Sequence, residues 1–195
     1  MNEAMLRKAL PLVALLCLCL TACEKKPEAS ATTTAASAVP SASASPATEG
    51  TKLAEGDPAP DVKMPLQDGK TLQLSSLKGK NVVVYFYPKD QTTGCTIEAQ
   101  NFRDKSDALK KADITVIGVS MQDADSHKAF IEKEKLPFDL AIDDGSIAKA
   151  FGVPMRGSFH SRWTFLIGKD GKVKKIWRDV QPKDHAVEVL QAAQS

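Results

Sequence analysis

Cys95 stands in the run Tyr-Phe-Tyr-Pro-Lys-Asp-Gln-Thr-Thr-Gly-Cys-Thr over residues 85–96, between an apolar stretch and a helical pattern. A thiol in the first turn of a helix faces unpaired backbone N–H groups and the positive end of the helix dipole. Both favour thiolate over thiol, and thiolate is the nucleophilic form of cysteine. The chemistry this placement offers is therefore displacement or redox chemistry at sulfur. A buried structural cysteine is the plainer alternative, because a free thiol packs like a small hydrophobe. The polar neighbours Asp90, Gln91, Thr92 and Thr93 weigh against it.

The elements that must hold this sulfur alternate between strand and helix patterns. Asn81–Tyr87 is a continuous β-branched and aromatic run, the pattern of a strand buried on both faces, and Pro88 stops it. Lys89–Gly94 reads as a polar loop. A helix follows over Cys95–Ala112, through Ile97, Phe102 and Leu109, with Thr92 or Thr93 available to cap it. Ile114–Ser120 reads as a second buried strand, Asp125–Lys135 as a helix with Phe130 and Ile131 inward, Phe138–Ile142 as a short strand and Ser146–Phe151 as a helical turn or two. Thr71–Leu74 is a further short strand. Trp163–Ile167 and Val173–Arg178 flank Gly168-Lys169-Asp170-Gly171, a hairpin signal. Pro182–Ala193 closes the chain as a helix. This order predicts an α/β domain of thioredoxin type, with a central mixed sheet flanked by helices.

The first 51 residues have a different character. Arg7 and Lys8 precede the twelve apolar residues Ala9–Leu20, too short for a membrane span but the length of an export signal. The stretch ends Leu20-Thr21-Ala22-Cys23, which resembles a bacterial lipobox. The resemblance implies a signal peptide over 1–22 and lipidation of Cys23. Glu24 in the next position implies sorting to the outer membrane, facing the periplasm. A plain secretory cut near Ala22 is the alternative. From Glu24 to about Thr51 the chain is mostly Ala, Ser, Thr and Pro, too poor in apolar surface to offset its ordering entropy. Residues 23–51 thus read as a tether of roughly 30 Å root-mean-square span, and 52–195 as one domain. Without Arg7, Lys8 and Glu3 the remaining chain holds 24 basic and 23 acidic side chains. That balance, with no basic patch, gives no support to nucleic-acid binding.

Pro88, Thr92 and Cys95 form the pattern P-x-x-x-T-x-x-C. Together with the longer string around Cys95, with Gly56-Asp57-Pro58-Ala59-Pro60, with Phe102-Arg103-Asp104 and with Arg162-Trp163-Thr164-Phe165-Leu166-Ile167, it resembles the peroxiredoxins. The match is to their peroxiredoxin Q, or bacterioferritin comigratory protein, branch, and covers essentially the whole domain. The resemblance implies a peroxidase reducing hydrogen peroxide and organic hydroperoxides, in antioxidant defence and cell redox homeostasis. It implies that Cys95 attacks the peroxide, Thr92 donates its hydroxyl to peroxide and thiolate, and Pro88 shields the pocket. Arg162 would favour the thiolate and the developing oxyanion, with the backbone N–H groups of Gly94 and Cys95 as further donors. It implies no cofactor, no metal and a monomer. An arginine suits the part because it stays charged and holds its donors in a fixed fork.

One position departs from that branch. Where many of its members carry a second cysteine five residues after the first, this chain has Gln100. With no other cysteine in the domain, Cys95 is expected to stop at sulfenic acid and to await an external thiol: a thioredoxin-like protein, glutaredoxin or a small thiol. A thiol–disulfide oxidoreductase of the same fold would need a paired thiol where Glu98 or Ala99 stands. A non-catalytic envelope lipoprotein is the third class, opposed by the intact Pro, Thr, Cys and Arg set. His127, His160 and His185 show no metal-ligand spacing and read as surface histidines. Trp163 and Trp177 read as core or face-covering aromatics, and Asp143-Asp144-Gly145-Ser146 as a turn leading into a helix cap. Lys172, Lys174 and Lys175 read as a solvated sheet edge.

Overall fold

The computed structural model describes residues 53–195. The expected signal peptide, Cys23 and the whole of the tether lie outside the described residues. The strand Asn81–Phe86, β3 in chain order, is the axis of the domain. It pairs in parallel with β4 (Ile114–Ser120) and antiparallel with β8 (Trp163–Ile167). β5 (Asp139–Ile142) adds in parallel beyond β4, and β9 (Val173–Trp177) adds antiparallel beyond β8. The five-stranded order is β5-β4-β3-β8-β9, a mixed sheet of thioredoxin type.

The unbroken apolar run of β3 has a direct cause: both of its faces are covered. Val82, Val84 and Phe86 join Met64, Ile117, Val119, Phe151 and Phe165 on one side. Val83, Tyr85 and Tyr87 join Cys95, Ala99, Phe102 and Phe130 on the other. Parallel pairing of β3 with β4 requires a crossover, which is made by α1 (Thr93–Asp104) and α2 (Ser106–Lys111). α3 (Ala124–Glu134) makes the second crossover, from β4 to β5. α4 (Ser146–Phe151) and α5 (His185–Gln194) complete the helices.

The structure departs from the sequence expectations in a few places. The helix expected over 95–112 starts two residues earlier and changes direction at Lys105, whose φ of −99° and ψ of 6° leave the helical region. The break keeps Phe102 and Leu109 in one apolar cluster. The last helix begins at His185 instead of Pro182; Asn101 of α1 stitches its start, accepting from the Ala186 N–H at 3.1 Å and donating to the Lys183 carbonyl. Of the strands in two further short pairings, only the one expected at Thr71–Leu74 carried a sequence signal. β1 (Lys63–Pro65) pairs with β2 (Thr71–Gln73), and β6 (Met155–Arg156) folds onto β7 (Phe159–His160) around Gly157, at φ +60°. Pairs of two or three residues are too short for periodicity to register.

The three histidines are the clearest correction. All are buried, at 0%, 2% and 0% exposure for His127, His160 and His185. Each meets a polar partner remote in sequence, which is why no local pattern marks it. His127 Nδ1 lies 2.9 Å from Asp90 Oδ2, and His185 Nε2 lies 2.8 Å from Thr164 Oγ1. His160 Nε2 sits 2.9 Å from Asp143 Oδ2, out of line for a hydrogen bond. Asp143 itself accepts from the N–H groups of Gly145, Ile147 and Ala148, so the acidic turn does cap α4.

Gly118 on β4 is required by contact. A Cβ there would stand 2.6 Å from Leu140 Cδ2 and 2.7 Å from the Tyr85 ring. Gly118→Ala is therefore expected to cost about 1–3 kcal/mol through overpacking. Chemical denaturation against the parent chain measures it; an unchanged midpoint would contradict the packing described.

Candidate active site

β3 delivers Tyr87 and then Pro88 at its C-terminal end, and the chain turns through Lys89–Thr92 into α1. The turn is held at both ends. Gln91 takes the left-handed conformation at φ +57°, unusual for a residue with a side chain. Asp90, only 4% exposed, accepts from the Tyr87 hydroxyl at 2.7 Å and from the Ser126 hydroxyl at 2.6 Å, and meets His127 at 2.9 Å. Burial pushes the Asp90 carboxyl up; hydrogen bonds from His127, Ser126 and Tyr87 outweigh it and hold the group below its usual range. The loop is thereby tied to α3.

Thr92 occupies the cap position of α1, and the first intrahelical bond runs from the Thr96 N–H to the Thr92 carbonyl at 2.8 Å. The N–H groups of Gly94 and Cys95 lie ahead of that ladder, as first-turn donors must. The Thr92 hydroxyl donates to the Lys89 carbonyl at 3.1 Å, so it neither caps the helix nor bonds the sulfur. Cys95 lies in the first turn, 1% exposed.

Arg162, 67 residues away at the start of β8, reaches the sulfur: its Nη2 donates to Cys95 Sγ at 3.3 Å. Its Nη1 donates to Glu98 Oε2, one helical turn after the cysteine. Gly94 makes room for this approach, since a Cβ there would lie 3.3 Å from Arg162 Nη2. Glu98 is fully buried, and its Oε1 has no partner. Burial raises its carboxyl to about 7, against the opposing charge and hydrogen bond of Arg162. Tyr85 lies beneath, its hydroxyl buried without a partner, and burial followed by the charges of Glu98 and Cys95 pushes its phenol well up. Burial, with Arg162 adding to it, lowers His185 to about 4.

Arg162 thus meets Cys95, and Pro88 lines one cleft with Arg162, while Thr92 stands at the loop end and the Gly94 and Cys95 amides at the helix start. Cys23 lies outside the described residues. Glu98 and Asp90 were not anticipated as site residues. Glu98 had a signal: it falls on the stripe Cys95, Glu98, Ala99, Phe102, the i, i+3, i+4, i+7 face of an amphipathic helix. A carboxylate on an apolar stripe needs a partner, and Arg162 is that partner. Asp90 sits in a loop and had no such signal.

The model of the AhpC/TSA family matches residues 55–176. A putative chloroplastic peroxiredoxin Q of Oryza sativa subsp. indica is 42% identical over 191 residues, covering 93% of this chain and 87% of that one. Peroxiredoxin Bcp of Bacillus subtilis is 44% identical over 144 residues, covering 70% of this chain and 92% of that one. Among solved structures, a mutant of Xylella fastidiosa PrxQ superposes with a TM-score of 0.69 at 30% identity, covering 74% of this chain and 98% of that one. These relatives also correct one expectation. Similar chains from rice and poplar are chloroplastic proteins, which points away from a lipid-anchored address in an outer membrane. A buried first-turn thiol under an arginine, on this fold and with these relatives, places the chain in the AhpC/TSA family of peroxiredoxins, as a thiol-dependent peroxidase.

Proposed function

We propose that the domain of residues 52–195 reduces hydrogen peroxide and organic hydroperoxides by a one-cysteine cycle centred on Cys95. The observation that carries this reading is the Arg162 guanidinium 3.3 Å from Cys95 Sγ. The thiolate attacks the distal oxygen of R–O–O–H, forming an S–O bond as the O–O bond breaks. Sulfur is oxidised to sulfenic acid, and the leaving alkoxide or hydroxide takes a proton from solvent. Negative charge moves from sulfur to oxygen, and a fixed cation plus the Gly94 and Cys95 amides serve it along the way. Thr92 donates to the peroxide once its hydroxyl turns from Lys89, and Pro88 keeps water off the sulfur. Glu98 is a positioning residue: it holds Nη1 of the guanidinium while Nη2 faces the thiol.

Cys95 is the only cysteine among the described residues, and Gln100 stands where a resolving thiol would be needed. Gln100 instead donates to Glu134 Oε2 at 2.7 Å, joining α1 to α3. The sulfenic acid therefore passes to an external thiol reductant.

Cys95→Ser should abolish peroxide consumption in an assay with excess thiol, and unchanged turnover would refute the assignment. Arg162→Ala should slow the oxidation step by about 10²–10³, read by stopped-flow. Mass spectrometry after one equivalent of peroxide, without thiol, should find one added oxygen on Cys95 and no disulfide to it.

Glu98 makes a pH prediction. Its folded-state value of about 7 lies above the ordinary 4.5, so the folded chain holds the proton more tightly than the unfolded chain. Its contribution to stability is present below pH 4.5 and is lost as pH rises toward 7. Urea unfolding at several pH values in that window should show the parent chain losing stability relative to Glu98→Gln as pH rises. Parallel profiles would show that Glu98 does not titrate there.

A further inference from the structure

An open cleft of about 650 Å³ is lined in part by Pro88 and Arg162, two residues of the site described above. Arg156, Phe159, Trp163 and Arg178 form much of the rest of its lining. The oxidation step described above uses Pro88 and Arg162 at this cleft, and leaves Arg156, Phe159 and Arg178 without a part. Two other cavities, of about 200 Å³ and 210 Å³, contain no arginine and none of the site residues, although the first is lined by Lys78, Lys80 and Lys172 with Asp61 and Asp170. The cleft differs from them in its three arginines and in sharing Pro88 and Arg162 with the thiol site.

Its charge is one-sided. Arg156 and Arg178 are exposed cations, while Asp179 is the one carboxylate on the lining. Arg162 is already committed to Glu98 and Cys95. Arg178 is fixed to the wall, its Nη2 donating to the Leu53 carbonyl at 3.0 Å and its guanidinium lying 5.0 Å from the Trp163 ring centroid. A fork held in this way is preorganised for a carboxylate. Arg156 stands on the β6–β7 hairpin, with Phe159 at 41% exposure beside it. The volume is that of a small-molecule site. The sulfur is 1% exposed behind Arg162, a recess that a thin flexible thiol enters more readily than a thiol fixed on a protein surface.

We propose that this cleft seats the reductant, and that the reductant is a small thiol bearing carboxylates; the inference rests on the one-cysteine reading above. Carboxylates held by Arg156 and Arg178 would aim the thiol past Pro88 at the sulfenic acid. The first thiol attacks sulfur, forming a mixed disulfide with Cys95 and releasing the hydroxyl as water. A second thiol attacks the mixed disulfide, freeing the Cys95 thiol and leaving the small disulfide. Two thiols thus supply the two electrons taken by the peroxide.

The test uses the full chain, oxidised with one equivalent of hydrogen peroxide and mixed with reduced glutathione or with its diethyl ester at equal thiolate concentration. Loss of sulfenic acid is followed by rapid quench and mass spectrometry. Glutathione should react about tenfold or more faster than the ester, the equivalent of one or two charge-assisted bonds. That ratio should fall toward one in Arg156→Gln and Arg178→Gln and largely survive in Arg156→Lys, an exposed change that does not disturb the core. Equal rates in the parent chain, or a ratio indifferent to both Gln variants, overturn the inference alone. So does a charge preference confined to oxidation, seen when a carboxylated and a neutral hydroperoxide are compared, because the cleft would then seat the oxidant. Failure of Cys95 to form sulfenic acid overturns the one-cysteine reading together with this inference.

Discussion

One guanidinium holds the site together. Arg162 bridges a sulfur and a buried carboxylate one helical turn apart, donating to Cys95 Sγ from Nη2 and to Glu98 Oε2 from Nη1. Removing any one of the three leaves a buried charge or polar group without its partner, which costs far more than an exposed ion pair contributes. Much of the surrounding structure can be read as what this arrangement needs. Gly94 is small where the guanidinium passes, α1 begins where the sulfur can meet free amides, and β8 lies beside β3 so that Arg162 arrives above the helix start.

The loop before the cysteine is held with equal care, although by different means. Asp90 is buried and satisfied by Tyr87, Ser126 and His127, so residues 88–92 are anchored to α3 from below. A buried polar network with every member satisfied specifies a single arrangement. Here the arrangement includes a left-handed Gln91, a conformation that a side chain adopts only where the surroundings impose it. The network therefore acts on the chemistry indirectly, by fixing where Pro88 and Thr92 stand.

The sheet supplies the rigidity. β3 is central, paired on both edges and covered on both faces, so its end cannot shift without disturbing two apolar clusters. Tyr85 carries this constraint to the site: it stacks on Tyr87 at 5.4 Å and on Phe102 at 5.0 Å, directly under Glu98. The cleft beside Arg162 draws instead on the short β6–β7 pair and on exposed side chains, with Trp163 of β8 and the clamped Arg178 in its lining.

The amino-acid sequence alone determined the strand Asn81–Tyr87, the turn at Pro88, the cysteine at a helix start and the hairpin at 168–171, because each is written in neighbouring residues. Periodicity and turn chemistry are local, and they survive without knowledge of the fold. The pattern of Pro88, Thr92 and Cys95 with the later arginine strand carried the family resemblance. What only the tertiary structure decided were the pairings across distance: Arg162 with Glu98, Asp90 with His127, His185 with Thr164. A buried histidine and an exposed one look alike in a string of letters, since what buries it arrives from 21 to 37 residues away in these last two cases. Burial and its compensation are properties of packed space, and so the three histidines and Glu98 took their meaning only once the chain had folded.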